Sequence, residues 1–81
     1  MVDKQLAKAI VDLALFLEFS PEDIVDQDAA VEAMEQLGNN LQLTSGDAQH
    51  MLAGHFRSLA ADYGEYKEFV AGLADAFGLV Q

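Results

Sequence analysis

Apolar residues recur along the chain at helical spacing, and no stretch alternates apolar and polar residues as a half-buried strand would. In the first segment, about Val2 to Phe19, Leu6, Ile10, Leu13 and Leu17 step by four, three and four, which stacks them on one helix face. Ala9 and Phe16 flank that stripe. Val11, Leu15 and Phe19 lie outside it. At about 100° per residue they fall near the opposite side, so the first helix is apolar on two faces. The stripe of larger residues is expected to enter the core. The set Val11, Leu15 and Phe19 is then the candidate interface of a homodimer, because four short helices can hardly surround one of their own.

Ser20-Pro21-Glu22-Asp23 is a strong helix start: a capping serine, a proline suited to the first helical position, and acids that complement the helix dipole. Ile24 and Val25 are expected to dip toward the core. Asp26 can cap a second start, so Pro21 to Val25 can form a separate short helical turn. The next long helix is predicted from about Gln27 to Gln42. Ala30, Met34, Leu37 and Leu41 form its inward face; Asp28, Glu32, Glu35 and Asn39 form its outward face. Thr44-Ser45-Gly46-Asp47 opens a third helix, with Thr44 as the expected cap and Leu52, Phe56, Leu59 and Tyr63 on one face. Gly64 reads as its terminal glycine. A last helix over about Glu65 to Phe77 carries Tyr66, Val70, Leu73 and Phe77, and Gly78 closes it with Leu79 folding back. The expected architecture is an all-α single domain over residues 1–81, a compact four-helix arrangement with short connections. Its core is expected to hold Leu6, Ile10, Leu13, Leu17, Met34, Leu37, Leu52, Phe56, Leu59, Val70, Leu73 and Phe77.

The composition narrows the function. At 81 residues and 52% apolar content, the chain has the makings of one thin core. It contains no cysteine, so disulfides and thiolate metal sites are excluded, and a reducing cytoplasm is the expected compartment. The longest apolar run, Leu13 to Leu17, is far too short to span a bilayer, and no signal peptide is visible. Four basic residues face fourteen acidic ones, a net charge of −10. That balance argues against nucleic-acid and anionic-membrane partners, both of which require a basic patch.

The residues that could carry chemistry have structural duties instead. His50 and His55, five apart, point about 140° from each other on a helix and cannot share a metal as an i,i+4 pair can. Ser20, Thr44 and Ser45 stand at helix starts, and there is no Gly-x-Ser-x-Gly elbow or glycine-rich phosphate loop. Asp23, Asp26 and Asp28 begin like a calcium loop, but Ala30 and Val31 stand where a ligand and a glycine are needed. The acidic helical profile resembles acyl carrier proteins, yet Ser45-Gly46-Asp47 replaces the Asp-Ser-Leu that would bear their phosphopantetheine. No catalytic residue, cofactor or metal is therefore expected.

Charge layout is the informative feature. Lys4, Lys8, Arg57 and Lys67 are the only basic residues, whereas Glu18, Glu22, Asp23, Asp26, Asp28, Glu32 and Glu35 crowd one segment. Such crowding costs stability in a small domain, and a basic protein partner would offset it. Glu22, Asp23, Asp26, Asp28, Glu32 and Glu35 are thus the candidate partner site. The run Ser20-Pro21-Glu22-Asp23 with Asp26 and Asp28, and the ending Glu68-Phe69-Val70 to Phe77-Gly78-Leu79, resemble small acidic helical bacterial immunity proteins. That resemblance implies a non-catalytic protein that neutralises a cognate toxin. The class-distinct alternative is a homo-oligomeric structural or accessory protein.

Overall fold

A computed structural model describes residues 2–79, all of whose regular structure is helical. Three long helices come first: α1 (Lys4–Phe19), α2 (Gln27–Gln42) and α3 (Gly46–Leu59). A 3₁₀ segment (Ala60–Tyr66) and two short helices, α4 (Lys67–Ala71) and α5 (Leu73–Ala76), complete the chain. The predicted fourth helix is thus in pieces. Gly64 adopts φ +55° and ψ −118°, a backbone conformation that glycine reaches without strain, and it kinks the 3₁₀ segment. At Gly72 the backbone N–H is shared between the Glu68 and Phe69 carbonyls, which tightens the turn and separates α4 from α5.

Helix ends follow local side-chain chemistry. Asp3 caps α1 by accepting from the Gln5 N–H at 2.7 Å, and Asp26 caps α2 by accepting from the Ala29 N–H at 2.9 Å. The cap of α3 is Ser45, which accepts from the Ala48 N–H at 3.1 Å. Thr44, expected in that role, instead turns its hydroxyl back to donate to the Leu41 carbonyl at 2.6 Å. Pro21 to Val25 is a single hydrogen-bonded turn rather than a helix, with the Ile24 and Val25 N–H groups both donating to the Pro21 carbonyl. Ile24 does not dip inward; it is exposed. At the chain's end Gly78 (φ +71°) donates to the Asp75 carbonyl and Leu79 to the Ala74 carbonyl, the paired bonds of a Schellman cap, and Leu79 is buried.

Central to the packing is α3, which lies against α1, the 3₁₀ segment, α4 and α5, while α2 packs chiefly on α1. Leu52, Ala53, Phe56 and Leu59 of α3 join Val70, Leu73, Ala74, Phe77 and Leu79 in one buried cluster. The rings of Phe56 and Phe77 meet at 6.2 Å. Gln49 is the one buried polar side chain among the described residues, and it donates to both the Gln42 and Thr44 carbonyls at 3.0 Å. Buried in this way, it satisfies carbonyls that the end of α2 leaves open. From the other side Gln42 donates to the Phe77 carbonyl at 2.6 Å.

Helix α1 is turned about 100° round its axis from the expectation. Ala7, Val11 and Ala14 have no exposed surface, and Leu15 packs half-buried against the same cluster. Leu6 and Leu13, expected in the core, are exposed, and Ile10 and Leu17 are half-buried. The small residues of the inward face let α1 approach its neighbours closely, which the larger stripe could not do. Phe19 is occupied as well: its ring lies 4.6 Å from that of Tyr66 and 5.0 Å, edge to face, from that of Phe69. Val11 and Leu15 of the expected interface therefore bind α1 to its own chain, while Phe19, despite these ring contacts, stays 47% exposed. Met34 and Leu37 of α2 are half-buried, whereas Leu52, Phe56, Leu59, Val70, Leu73 and Phe77 lie in the core as expected. The molecule is only 18 Å across in its thinnest direction, less than two helix diameters of about 10–12 Å. Each long helix accordingly keeps one side toward water.

Candidate functional site

The candidate site begins in the turn after α1 and continues along the outward side of α2. Glu22 and Asp23 are exposed in the turn, Asp26 caps the helix, and Asp28 in its first turn faces the favourable end of the helix dipole. Asp28, Glu32 and Glu35 share one face at helical spacing, and all three are exposed, as is Asn39 beyond them. The half-buried Met34 and Leu37 and the buried Ala30 and Leu41 hold the other face. The six acids expected in one site thus occupy one continuous stretch of turn and helix. Asp26 alone among them is tied down by a hydrogen bond, and among the described residues none of the six takes part in an ion pair.

At the junction of α1 and α2 an open cleft of about 230 Å³ is lined by Leu17, Glu18, Ser20, Val25, Gln27, Ala30 and Val31. It is smaller than the roughly 300–1,000 Å³ of sites that enclose small ligands. This cleft dents the acidic surface without forming a chamber.

A separate polar cluster joins α1 to the 3₁₀ segment. The Tyr63 hydroxyl donates to Asp12 at 2.6 Å, and Lys8 pairs with the other Asp12 oxygen at 3.0 Å. The Lys8 ammonium also lies 5.6 Å from the centre of the Tyr63 ring. The donated hydrogen bond from Tyr63, then that from Lys8, holds the Asp12 carboxyl below its usual range. Partial burial, followed by the hydrogen bond to Asp12, raises the Tyr63 phenol, and the bond to Asp12 raises Lys8. All three groups are thereby fixed in their ordinary neutral-pH forms: carboxylate, phenol and ammonium. A site for acid–base catalysis needs the reverse, a group drawn toward the working pH. Neither contact was read from the sequence; the i,i+4 spacing of Lys8 and Asp12 is a signal for the first, but nothing local to it signals Tyr63, fifty-one residues on.

His50 is exposed, and the half-buried His55 donates from Nε2 to the Val2 carbonyl at 3.0 Å, which ties the start of the chain to α3. No group of three potential metal-ligating side chains converges among the described residues, and no helix among them is long and apolar enough to cross a membrane. Compared with known proteins, the chain matches no protein-family model, no curated protein and no solved structure.

Proposed function

We propose that the chain is a cytoplasmic, non-catalytic binding module whose acidic ridge receives a basic protein, as in the immunity proteins it resembles. The observation that carries this reading is the state of Glu22, Asp23, Asp26, Asp28, Glu32 and Glu35. All six are exposed, and none is neutralised by an ion pair among the described residues. The only intrachain ion pair of the described lysines, Lys8–Asp12, lies on α1. A patch of one sign raises the local concentration of an oppositely charged partner and speeds its docking. A basic toxin surface is the partner class this charge suits. The small, open cleft beside the ridge, about 230 Å³, suits a protruding side chain of a protein surface better than a small ligand.

The test is capture of a partner from the native cell at low and high salt, followed by kinetics with the double variant Asp28→Lys, Glu32→Lys. Association should slow by about tenfold or more and lose much of its salt dependence. The fold should persist, because exposed charge changes alter stability by about 0.5 kcal/mol or less. Unaltered binding in that variant, with loss of binding on substituting Lys4 and Lys8, would refute the reading. The alternative, a homo-oligomeric accessory protein, is favoured by a different observation, the uncovered face of α1.

A further inference from the structure

The cleft at the junction of α1 and α2 combines an apolar lining with a carboxylate. Leu17, Val25, Ala30 and Val31 line it together with Glu18 and Ser20. Glu18 is exposed and takes part in no ion pair or side-chain hydrogen bond among the described residues, and the Ser20 hydroxyl has no such bond either. Glu18 also stands at the unfavourable end of its helix. The last turn of α1 carries the negative pole of the helix dipole, where a cation is stabilised, yet it contains no basic residue. The way the helix stops sharpens this. The Ser20 N–H closes the last bond of the ladder on the Phe16 carbonyl at 3.2 Å, and Pro21 has no N–H to give the Leu17 carbonyl. Among the described residues no backbone N–H donates to the Leu17, Glu18 or Phe19 carbonyls. Glu22 and Asp23 then follow in the turn. Neither Lys8 nor Lys67 compensates this end. Lys8 is ten residues, about 15 Å, back along the axis and is paired with Asp12. Lys67, next to the Tyr66 that touches Phe19, makes no ion pair among the described residues.

We infer that this cleft takes one arginine side chain of the basic partner, its stem against the apolar lining and its guanidinium at Glu18 and the C-terminal end of α1. The inference rests on the reading of the acidic ridge as a partner site, and it extends that site from α2 across to α1. Three features select arginine. Glu18 and the helix dipole act together on a cation. A long methylene stem with a charged head covers apolar surface while its charge stays at the wet edge, which is what an apolar cleft beside a carboxylate requires. The acceptors are several and of different kinds: a carboxylate, a hydroxyl and the carbonyls that end the helix. They suit the five fixed donors of a guanidinium better than the compact, strongly hydrated ammonium of lysine.

Size limits the occupant in the same direction. At about 230 Å³ the cleft lies below the volume that encloses a whole small ligand, and it admits a single side chain rather than a length of peptide. An arginine anchored in a pocket is the kind of residue that carries a large share of the binding energy of a protein interface.

Nuclear magnetic resonance titration of the isotope-labelled protein tests this with three short capped peptides, glycines flanking a central arginine, lysine or citrulline. Lysine matches the charge of arginine, and citrulline matches its shape. Peptide is raised to about 10 mM at low ionic strength, a range that reads millimolar affinities. The arginine peptide should shift the backbone amides of residues 17–20 and 25–31 most, and bind several-fold more tightly than the other two. Glu18→Gln removes only the charge of an exposed side chain, and Val31→Phe, at a 59% exposed position, crowds the cleft without entering the core. Each should weaken the arginine peptide several-fold with unchanged helical circular dichroism. No binding of the arginine peptide, shifts centred elsewhere, binding no tighter than that of the lysine peptide, or unchanged binding in either variant would each overturn the inference. Those outcomes fail the cleft alone. Unaltered partner association in Asp28→Lys, Glu32→Lys, with the arginine peptide still held in the cleft, would fail the ridge alone.

Discussion

Replacing Phe56 and Leu13 by alanine, one at a time, separates two arrangements of α1 that a hydrophobicity pattern cannot. Phe56 has no exposed surface, lies among the core residues of α3, α4 and α5, and meets the ring of Phe77. Its truncation leaves a cavity in a thin core and should cost about 3–5 kcal/mol. A domain of this length holds only about 4–12 kcal/mol in total. At roughly 4–8 °C per kcal/mol, the melting temperature should fall by on the order of 20 °C. Leu13 is half exposed and its removal opens no enclosed void. A fully buried leucine contributes about 1.5–3 kcal/mol by transfer, so half burial sets the loss near 1 kcal/mol. The assay is thermal melting followed by far-UV circular dichroism at micromolar concentration. If Leu13→Ala melts as low as Phe56→Ala, then α1 packs through its larger stripe and the orientation described here is wrong.

Gly78→Ala should destabilise by about 1–2 kcal/mol, the usual cost of the left-handed conformation, because Gly78 has φ +71° and a Cβ there would stand 2.8 Å from the Gln42 amide nitrogen. Urea titration checks it, with Gly46→Ala, whose added carbon meets nothing within 4 Å, as the control. Tyr63→Phe should remove a stabilisation confined to a pH window. The lowered Asp12 contributes above its ordinary value of 3.8 and loses that contribution as pH falls through the depressed folded value. The raised Tyr63 contributes below its ordinary value of 10.0 and loses that contribution as pH rises through the elevated one. The melting difference between wild type and variant should be flat from about pH 5 to 9 and shrink outside that range; a difference that grows at either end contradicts the Asp12–Tyr63 assignment. Crowding of Glu18 to Glu35 should make the protein melt higher in about 0.15 M salt than in about 0.01 M salt, and a flat or falling response would mean that the acids do not strain the fold.

The sequence conveyed which segments are helical far better than which way one of them faces. The span Gln27–Gln42 of α2 follows directly from Asp26 and the spacing of Ala30, Met34, Leu37 and Leu41, and the Gly78–Leu79 cap from its own residues. In α1 the two apolar faces compete. Counting large side chains favours Leu6, Ile10, Leu13 and Leu17, but the residues that are fully buried are Ala7, Val11 and Ala14. Small residues make close helix contacts possible yet leave a faint hydrophobic signal. The break of the last helix at Gly72 was equally hard to see, because a single interior glycine is compatible with an unbroken helix. The exposed acidic face of α2 was legible because charge needs no tertiary context: Asp28, Glu32 and Glu35 share a face by spacing alone. The Asp12–Tyr63 bond joins segments far apart in the chain, and no local pattern encodes it.

The buried Gln49 has a consequence for how the molecule opens. Its amide holds the carbonyls of Gln42 and Thr44, so the last turn of α2 cannot fray without drawing a glutamine out of the interior of α3. Gln42 in turn holds Phe77. The end of α2, the connection into α3 and the C-terminal cap are thereby linked in one cooperative opening unit. Among the described residues the far end of α1 is held by the ring contacts of the half-exposed Phe19 rather than by a buried hydrogen-bonded clasp, and the helix keeps one face in water. Amide exchange should follow that division. The amides around the α2–α3 connection should exchange slowly and together, although they lie in a surface turn. The solvent-side amides near the C-terminal end of α1 should exchange early, through openings that leave the rest of the domain intact.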